Sequence, residues 1–242
     1  MYPVKPEIAA KAHINSLEEY QRLYRQSLED PETFWLERAQ DLTWFYPPDR
    51  IVSEEGAPHR HRSGAPDERV WIIDPLDGTN EYGEPGRTDW AVHVALTIDG
   101  DPVAGAVALP ALGTTLTSSP VPPMPPPMPE RPRLVVSRSR PPAAATFLAK
   151  RLDAELVEMG SAGAKAMAVV RGEADAYVHS GGQYEWDSCA PVAVARAAGL
   201  HTSRLDGSPL VYNNPDPYLP DLVICRTELA EQVLELLRAF ED

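Results

Sequence analysis

The chain has 242 residues, 43% of them hydrophobic, and a formal net charge of −14. Its length and apolar content suffice for one sizeable core or for a large domain with a small appendage. The excess of carboxylates argues against nucleic acid as a partner, because affinity for nucleic acid comes largely from Lys and Arg on phosphates. A cytoplasmic protein is expected, without a membrane span or a secretory leader: no run of about 18 apolar residues occurs, and Met1 is followed by proline, lysine and glutamate.

The first fifty residues predict two short helices. Ser16 and Glu19 have capping-box spacing ahead of Tyr20, Leu23 and Tyr24, and Asp30 precedes Pro31 at a position where a helix tolerates proline. Trp44, Phe45 and Tyr46 before Pro47 and Pro48 call for a surface to dock on. From Ile51 onward strands and helices alternate. Residues 70–74 read as a strand stopped by Pro75, and 91–98 with 103–109 as a hairpin turning at Asp99-Gly100. Residues 120–132 are dense in proline and predict an exposed loop.

Beyond the loop, 134–136, 174–179 and 222–225 read as strands. Helices are expected over 142–153, 164–171, 187–198 and 228–240, the third stopped by Gly199. Mixed strands and helices of this kind build a layered α/β sandwich. Cys189 and Cys225 lack metal-ligand or disulfide spacing and read as buried core thiols. His59 and His61 flank Arg60 in a polar stretch that reads as a solvated loop.

The segment Trp71-Ile72-Ile73-Asp74-Pro75-Leu76-Asp77-Gly78-Thr79 carries the chemistry. A strand delivers Asp74, and Asp77 follows close enough for two carboxylates to converge on a small volume. Gly78 lets the backbone approach a ligand, and Thr79 opens a helix start whose free amides can hold a phosphate. A third carboxylate could come from Glu54 or Glu55, or from Asp187 after Trp186. Taken alone, a loop Glu is ordinarily solvated and an Asp before a helix is ordinarily an N-cap. Oxygen-rich, cysteine-free ligation favours Mg²⁺ or Mn²⁺ over zinc, and two such ions can activate water and stabilise a leaving oxygen.

In order and spacing these motifs resemble the inositol monophosphatase superfamily over residues 51–242. The resemblance implies an αβαβα sandwich with two or three Mg²⁺ ions, Mn²⁺ being an alternative, held by Glu54, Asp74, Asp77, Asp187 and the Leu76 carbonyl. Gly78 and Thr79 would contact the phosphate; Thr79, Asp77 and Glu54 would serve catalysis, with Thr79 touching the attacking water. Asp89-Trp90-Ala91-Val92-His93, Val136-Ser137-Arg138-Ser139 and Gly160-Ser161-Ala162-Gly163-Ala164-Lys165 look most like the CysQ-type enzymes. Those remove the 3'-phosphate of 3'-phosphoadenosine 5'-phosphate in sulfur metabolism. By that likeness Ser137, Arg138, Ser161, Lys165 and Asp187 are the substrate-side candidates. Tyr184 and Trp186 leave two readings open, stacking on an adenine or packing in the core.

The start of the chain departs from the family, in which two long helices precede the Glu-Glu motif and one supplies an aspartate partner for the Thr of Asp-Gly-Thr. Residues 1–50 instead resemble the small N-terminal segment of acetyl-CoA synthetases, through Ala-His-Ile-Asn-Ser-Leu-Glu-Glu-Tyr at 12–20 and Asp-Pro-Glu-Thr-Phe-Trp at 30–35. The nucleotide loop and catalytic lysine region of those ligases are missing, which excludes acyl-CoA synthesis. Two domains are therefore expected, 1–50 and 51–242. The phosphatase has two alternatives: an inositol monophosphatase, and a chimeric remnant that binds metal or nucleotide without turnover. Loss of covering helices would lower stability or favour a homo-oligomer.

Overall fold

Alternation within the strands shows which of them are covered on both sides. The computed structural model of the chain describes residues 16–30, 34, 50–55 and 68–241, in two compact units, Met1–Pro48 and Asp49–Asp242. In the first unit, α1 (Leu17–Glu29) is capped by Ser16, whose hydroxyl accepts the Glu19 amide at 3.1 Å, as the sequence predicts. The second expected helix lies outside the described residues apart from Phe34, and so do the 44–46 aromatics, His59 and His61.

In the second unit the order is β1 (Arg50–Ser53), β2 (Arg69–Asp77), α2 (Thr79–Gly83), β3 (Ala91–Ile98), β4 (Asp101–Leu109), β5 (Thr114–Thr117), β6 (Arg133–Ser137) and α3 (Ala143–Arg151). It continues with β7 (Glu155–Met159), α4 (Ala162–Val170), β8 (Ala176–Tyr184), α5 (Glu185–Ala197), β9 (His201–Ser203), β10 (Tyr218–Cys225) and α6 (Thr227–Glu241). One sheet runs β1-β2-β3-β4-β5, with β1 parallel to β2 and the other pairs antiparallel. The second runs β7-β6-β8-β10-β9, parallel through β7-β6-β8 and antiparallel beyond.

Helices α4 and α5 lie between the two sheets, while α3 and α6 pair on the far face of the second. The apolar runs of β6, of the first half of β8 and of the second half of β10 are thus buried on both faces, which explains why they are near-continuous. In β10, Leu222 and Ile224 point into the inter-sheet core, whereas Val223 and Cys225 point toward α3 and α6. Cys189 belongs to the inter-sheet core and Cys225 to the outer one; burial raises both thiols, Cys225 to about 12. All nine residues of α4 are buried, and their small side chains (Ala-Gly-Ala-Lys-Ala-Met-Ala-Val-Val) let both sheets approach closely. Among the described residues no helix is long and apolar enough to cross a membrane.

The strand predictions needed revision at Pro75 and at four short strands, β1, β5, β7 and β9, that the sequence reading lacks. Pro75 does not end its strand: β2 continues to Asp77, with Asp74 opposite His93 and Asp77 opposite Ala91, so three residue steps on β2 face two on β3. Strand β7 is absent from the sequence reading because Glu155 and Glu158 make it resemble a solvated segment, as an edge strand can. The proline-rich stretch is irregular, and the Pro126 carbonyl accepts from the buried Arg226 guanidinium.

Close packing of β4 on α5 depends on Gly105, where an added Cβ would sit 2.7 Å from the Ala193 Cβ and 2.9 Å from the Ala190 carbonyl oxygen. Gly105→Ala should therefore destabilise the protein by about 1–3 kcal/mol through overpacking. Urea denaturation is the check, with an unchanged midpoint counting against this packing account.

Candidate metal and phosphate site

A regular strand would send Asp74 and Asp77 to opposite faces, because side chains alternate with a period of two. The extra residue between them forms a bulge that restores both to the inner face, and Pro75, with no N–H to give the ladder, occupies it. The Leu76 amide donates to Asp74 Oδ1 at 2.9 Å and shapes the turn. Gly78 follows at φ 89°, a left-handed conformation suited to glycine, and Thr79 starts α2 with its hydroxyl 3.4 Å from the Leu76 carbonyl.

Asp187 reaches the same volume from the first turn of α5, where its Oδ2 accepts the Tyr184 amide at 2.7 Å. One carboxylate oxygen each from Asp74, Asp77 and Asp187 lie within 4.8 Å of one another, so the two motifs, about 110 residues apart in the chain, converge. Glu54, on the exposed turn after β1, is not part of this trio, yet its charge acts on both Asp74 and Asp187. Glu55 is exposed beside it.

Asp77 is held on its other side by the start of α4. Ser161 Oγ donates to its Oδ2 at 2.5 Å, Ala162 N to Oδ1 at 3.1 Å and Gly163 N to Oδ2 at 2.6 Å. The Ser161 hydroxyl also accepts the Ala164 amide at 2.9 Å, capping the helix. Fully buried His93 puts Nε2 3.3 Å from Asp77 Oδ2 and Nδ1 3.0 Å from the Trp186 carbonyl. Nδ1 can only donate to that carbonyl, which fixes the ring. Gly163 accommodates it, since a Cβ there would overlap Nε2.

The remaining candidates divide sharply. Ser161 touches Asp77. Lys165, expected on the substrate side, is buried: its Nζ donates to the Gly160 and Ser161 carbonyls at 3.1 and 2.6 Å and lies over the Tyr177 ring. Burial depresses its pKa, and its task in this structure is bracing the Gly160-Ser161 turn. Arg138 binds Glu81 at 3.0 Å and Glu84 at 2.9 Å, while Ser137 Oγ accepts the Arg140 amide at 3.3 Å. His93, Glu81 and Asp89 were given no role from sequence; Asp89 accepts the Gly160 amide at 2.5 Å. The available signal was a histidine on the buried parity of β3, whose residues alternate strictly between buried and half-buried.

Electrostatics follow from this geometry. Burial and the Asp77 charge push the Asp74 carboxyl up to about 7, and the same causes push Asp187 up to about 7. Burial also disfavours the Asp77 anion, but contacts from His93, Ser161 and Gly163 outweigh it and lower that carboxyl to about 2. His93 rises to about 8, its burial opposed by Asp77 and by the Trp186 carbonyl. Three crowded carboxylates, two of them reluctant to ionise, with no sulfur donor among them, suit a hard divalent cation.

Comparison with known proteins agrees with this arrangement. The inositol monophosphatase family profile matches residues 26–121 and 131–241. The chain belongs to that family. The match begins within α1, upstream of the boundary at residue 50 expected from the sequence. A 3'-phosphoadenosine 5'-phosphate phosphatase of Mycobacterium bovis is 51% identical over 199 residues, covering 78% of this chain and 73% of that protein. CysQ from Bacteroides thetaiotaomicron, a bacterial member of the inositol monophosphatase family, superposes with a TM-score of 0.62 at 27% identity, over 74% of this chain and 77% of that one. An IMPase/NADP phosphatase complexed with Mg²⁺ and phosphate superposes at 0.66 with 19% identity, over 89% and 81%.

Because Asp74 and Asp187 hold protons more tightly folded than unfolded, their contribution to metal-free stability is complete below about pH 4 and is lost as the pH rises through about 7. A cation held by the trio would take the place of those protons. A fixed Mg²⁺ concentration set at about a hundredfold excess over the pH 8 Kd should raise the melting temperature by about 5–10 °C at pH 8 and by less at pH 6. Asp187→Asn should flatten that pH dependence. Thermal-shift titrations read both, and equal Mg²⁺ effects at the two pH values would contradict the assignment of the trio.

Proposed function

We propose that this protein is a Mg²⁺-dependent phosphomonoesterase that hydrolyses the 3'-phosphate of 3'-phosphoadenosine 5'-phosphate, with water as nucleophile and no covalent intermediate. The observation that carries the reading is the convergence of Asp74, Asp77 and Asp187 within 4.8 Å, beside Gly78-Thr79 and the start of α4. Half identity to the mycobacterial phosphatase supports the substrate.

The three carboxylates would hold two or three Mg²⁺ ions, Mn²⁺ substituting, with Glu54 and the Leu76 carbonyl completing the set. When bound, such ions offset the charge of a phosphate ester and make water more acidic. The protein's own groups do the rest. Gly78 and Thr79 face the phosphate, and the Thr79 hydroxyl is exposed beside the trio to orient water. His93 and the α4 amides fix the Asp77 carboxylate in its ionised form, so one strong anion persists in the site at neutral pH. Arg138 supports binding of the second phosphate, because a dianion can compete for a guanidinium now shared by Glu81 and Glu84. Lys165 acts indirectly, through the turn that presents Ser161.

Purified protein should release inorganic phosphate from 3'-phosphoadenosine 5'-phosphate only with a divalent cation. Asp77→Asn and Asp187→Asn should each reduce turnover by at least about a hundredfold, judged on variants whose circular dichroism matches the parent. Arg138→Ala should raise KM about tenfold with a smaller effect on kcat. Faster turnover of an inositol phosphate would transfer the assignment to the inositol branch of the family, and metal binding with no phosphate release from either ester would leave a non-catalytic remnant.

A further inference from the structure

Residues 118–132 join β5 to β6 without helix or strand, a long connection for a compact domain. The family profile is interrupted over 122–130, the middle of that connection, so the segment is this chain's own addition to the phosphatase pattern. Its prolines dictate the backbone. Pro122, Pro123, Pro125, Pro126, Pro127 and Pro129 fix φ at about −65°, and each residue that precedes a proline is driven to an extended ψ. Together these constraints give a polyproline II helix, with three residues per turn and no internal backbone hydrogen bonds.

Burial follows that period of three. Pro122, Pro125 and Met128 are half-buried, and every other residue of 121–130 is exposed. One edge of a three-sided helix therefore rests on the protein. The other two edges, Val121-Met124-Pro127 and Pro123-Pro126-Pro129, face solvent, with Met124 81% and Val121 61% exposed. The resting edge is pinned: Met128 packs against the outer core, and an added Cβ at Gly172 would sit 2.5 Å from the Pro126 Cδ and 3.2 Å from the Pro125 Cβ. Buried Arg226, whose Nε donates to Asp175 Oδ1 at 2.9 Å, also donates to the Pro126 carbonyl. A ridge held in this way has given up its conformational freedom before any partner arrives.

The chemistry of the two free edges narrows the partner. They carry no cation, and the chain is acidic, so neither nucleic acid nor an anionic membrane matches them. Proline rings repeated every third residue, about 9 Å apart along one edge, fit between the side chains of an aromatic-lined groove. We propose that residues 121–130 are a rigid polyproline ligand for a protein domain with such a groove, a docking function separate from the phosphatase site.

Purified SH3, WW and EVH1 domains serve as probes, titrated calorimetrically into the full chain and, in parallel, into a synthetic peptide of residues 119–131. At least one domain should bind the folded protein about three- to tenfold more tightly than the peptide, because the ridge is already held in its bound shape. Pro123→Ala and Pro129→Ala, on a free edge, should each weaken that binding about tenfold, whereas Pro122→Ala, on the resting edge, should stay within twofold. Melting temperatures of the three variants, compared with the parent, show that lost binding is not lost folding. The proposal is overturned by failure of every probe to bind the protein, by tighter binding to the peptide than to the protein, or by an equal loss from Pro122→Ala. Binding that survives the double substitution of Pro123 and Pro129 by alanine overturns it as well, and the segment is then a connector alone.

Discussion

The Asp77 carboxylate is the point at which the layers of the molecule are joined. It comes from a strand of the first sheet, accepts two amides and a hydroxyl from the start of the buried α4, and is contacted by His93 from the next strand. Each bond satisfies a polar group that would otherwise be orphaned in the interior, where an unpaired group costs about 1–3 kcal/mol. The same contacts keep one carboxylate ionised while its neighbours Asp74 and Asp187 are driven toward their neutral forms. Fold and chemistry therefore draw on one set of atoms.

This arrangement explains the unusual composition of the middle layer. Helix α4 can lie between the sheets because five of its nine residues are alanine or glycine, and Gly163 leaves room for the imidazole that steadies Asp77. Ser161, at φ 46°, accepts a backbone geometry that a non-glycine residue rarely adopts and in return places its hydroxyl between Asp77 and the helix N-terminus. Strain is held where the hydroxyl that orients Asp77 must be placed.

Much of the site was legible in the sequence because its parts are local strings. Asp74, Asp77, Gly78 and Thr79 are contiguous, and Asp187 follows an aromatic at a helix start. The layered fold was legible through the apolar runs of β6, β8 and β10. What escaped depended on three-dimensional pairing. Nothing local to Pro75 shows that pairing resumes at Asp77, and no spacing rule predicts that Lys165 turns inward to two carbonyls. Nor does the Arg138 sequence context reveal two carboxylates from residues more than fifty positions earlier. His93 lay in plain view within its motif, but its meaning came only from the ring of partners around it.

The two cysteines offer an unplanned gauge of integrity. One sits between the sheets and the other behind the second sheet, both fully enclosed and both held as neutral thiols. Alkylating reagents need an accessible thiolate, so neither sulfur is reactive until its own layer opens. Labelling at Cys189 reports separation of the sheets, and labelling at Cys225 reports detachment of the outer helices, which gives each half of the sandwich its own clock.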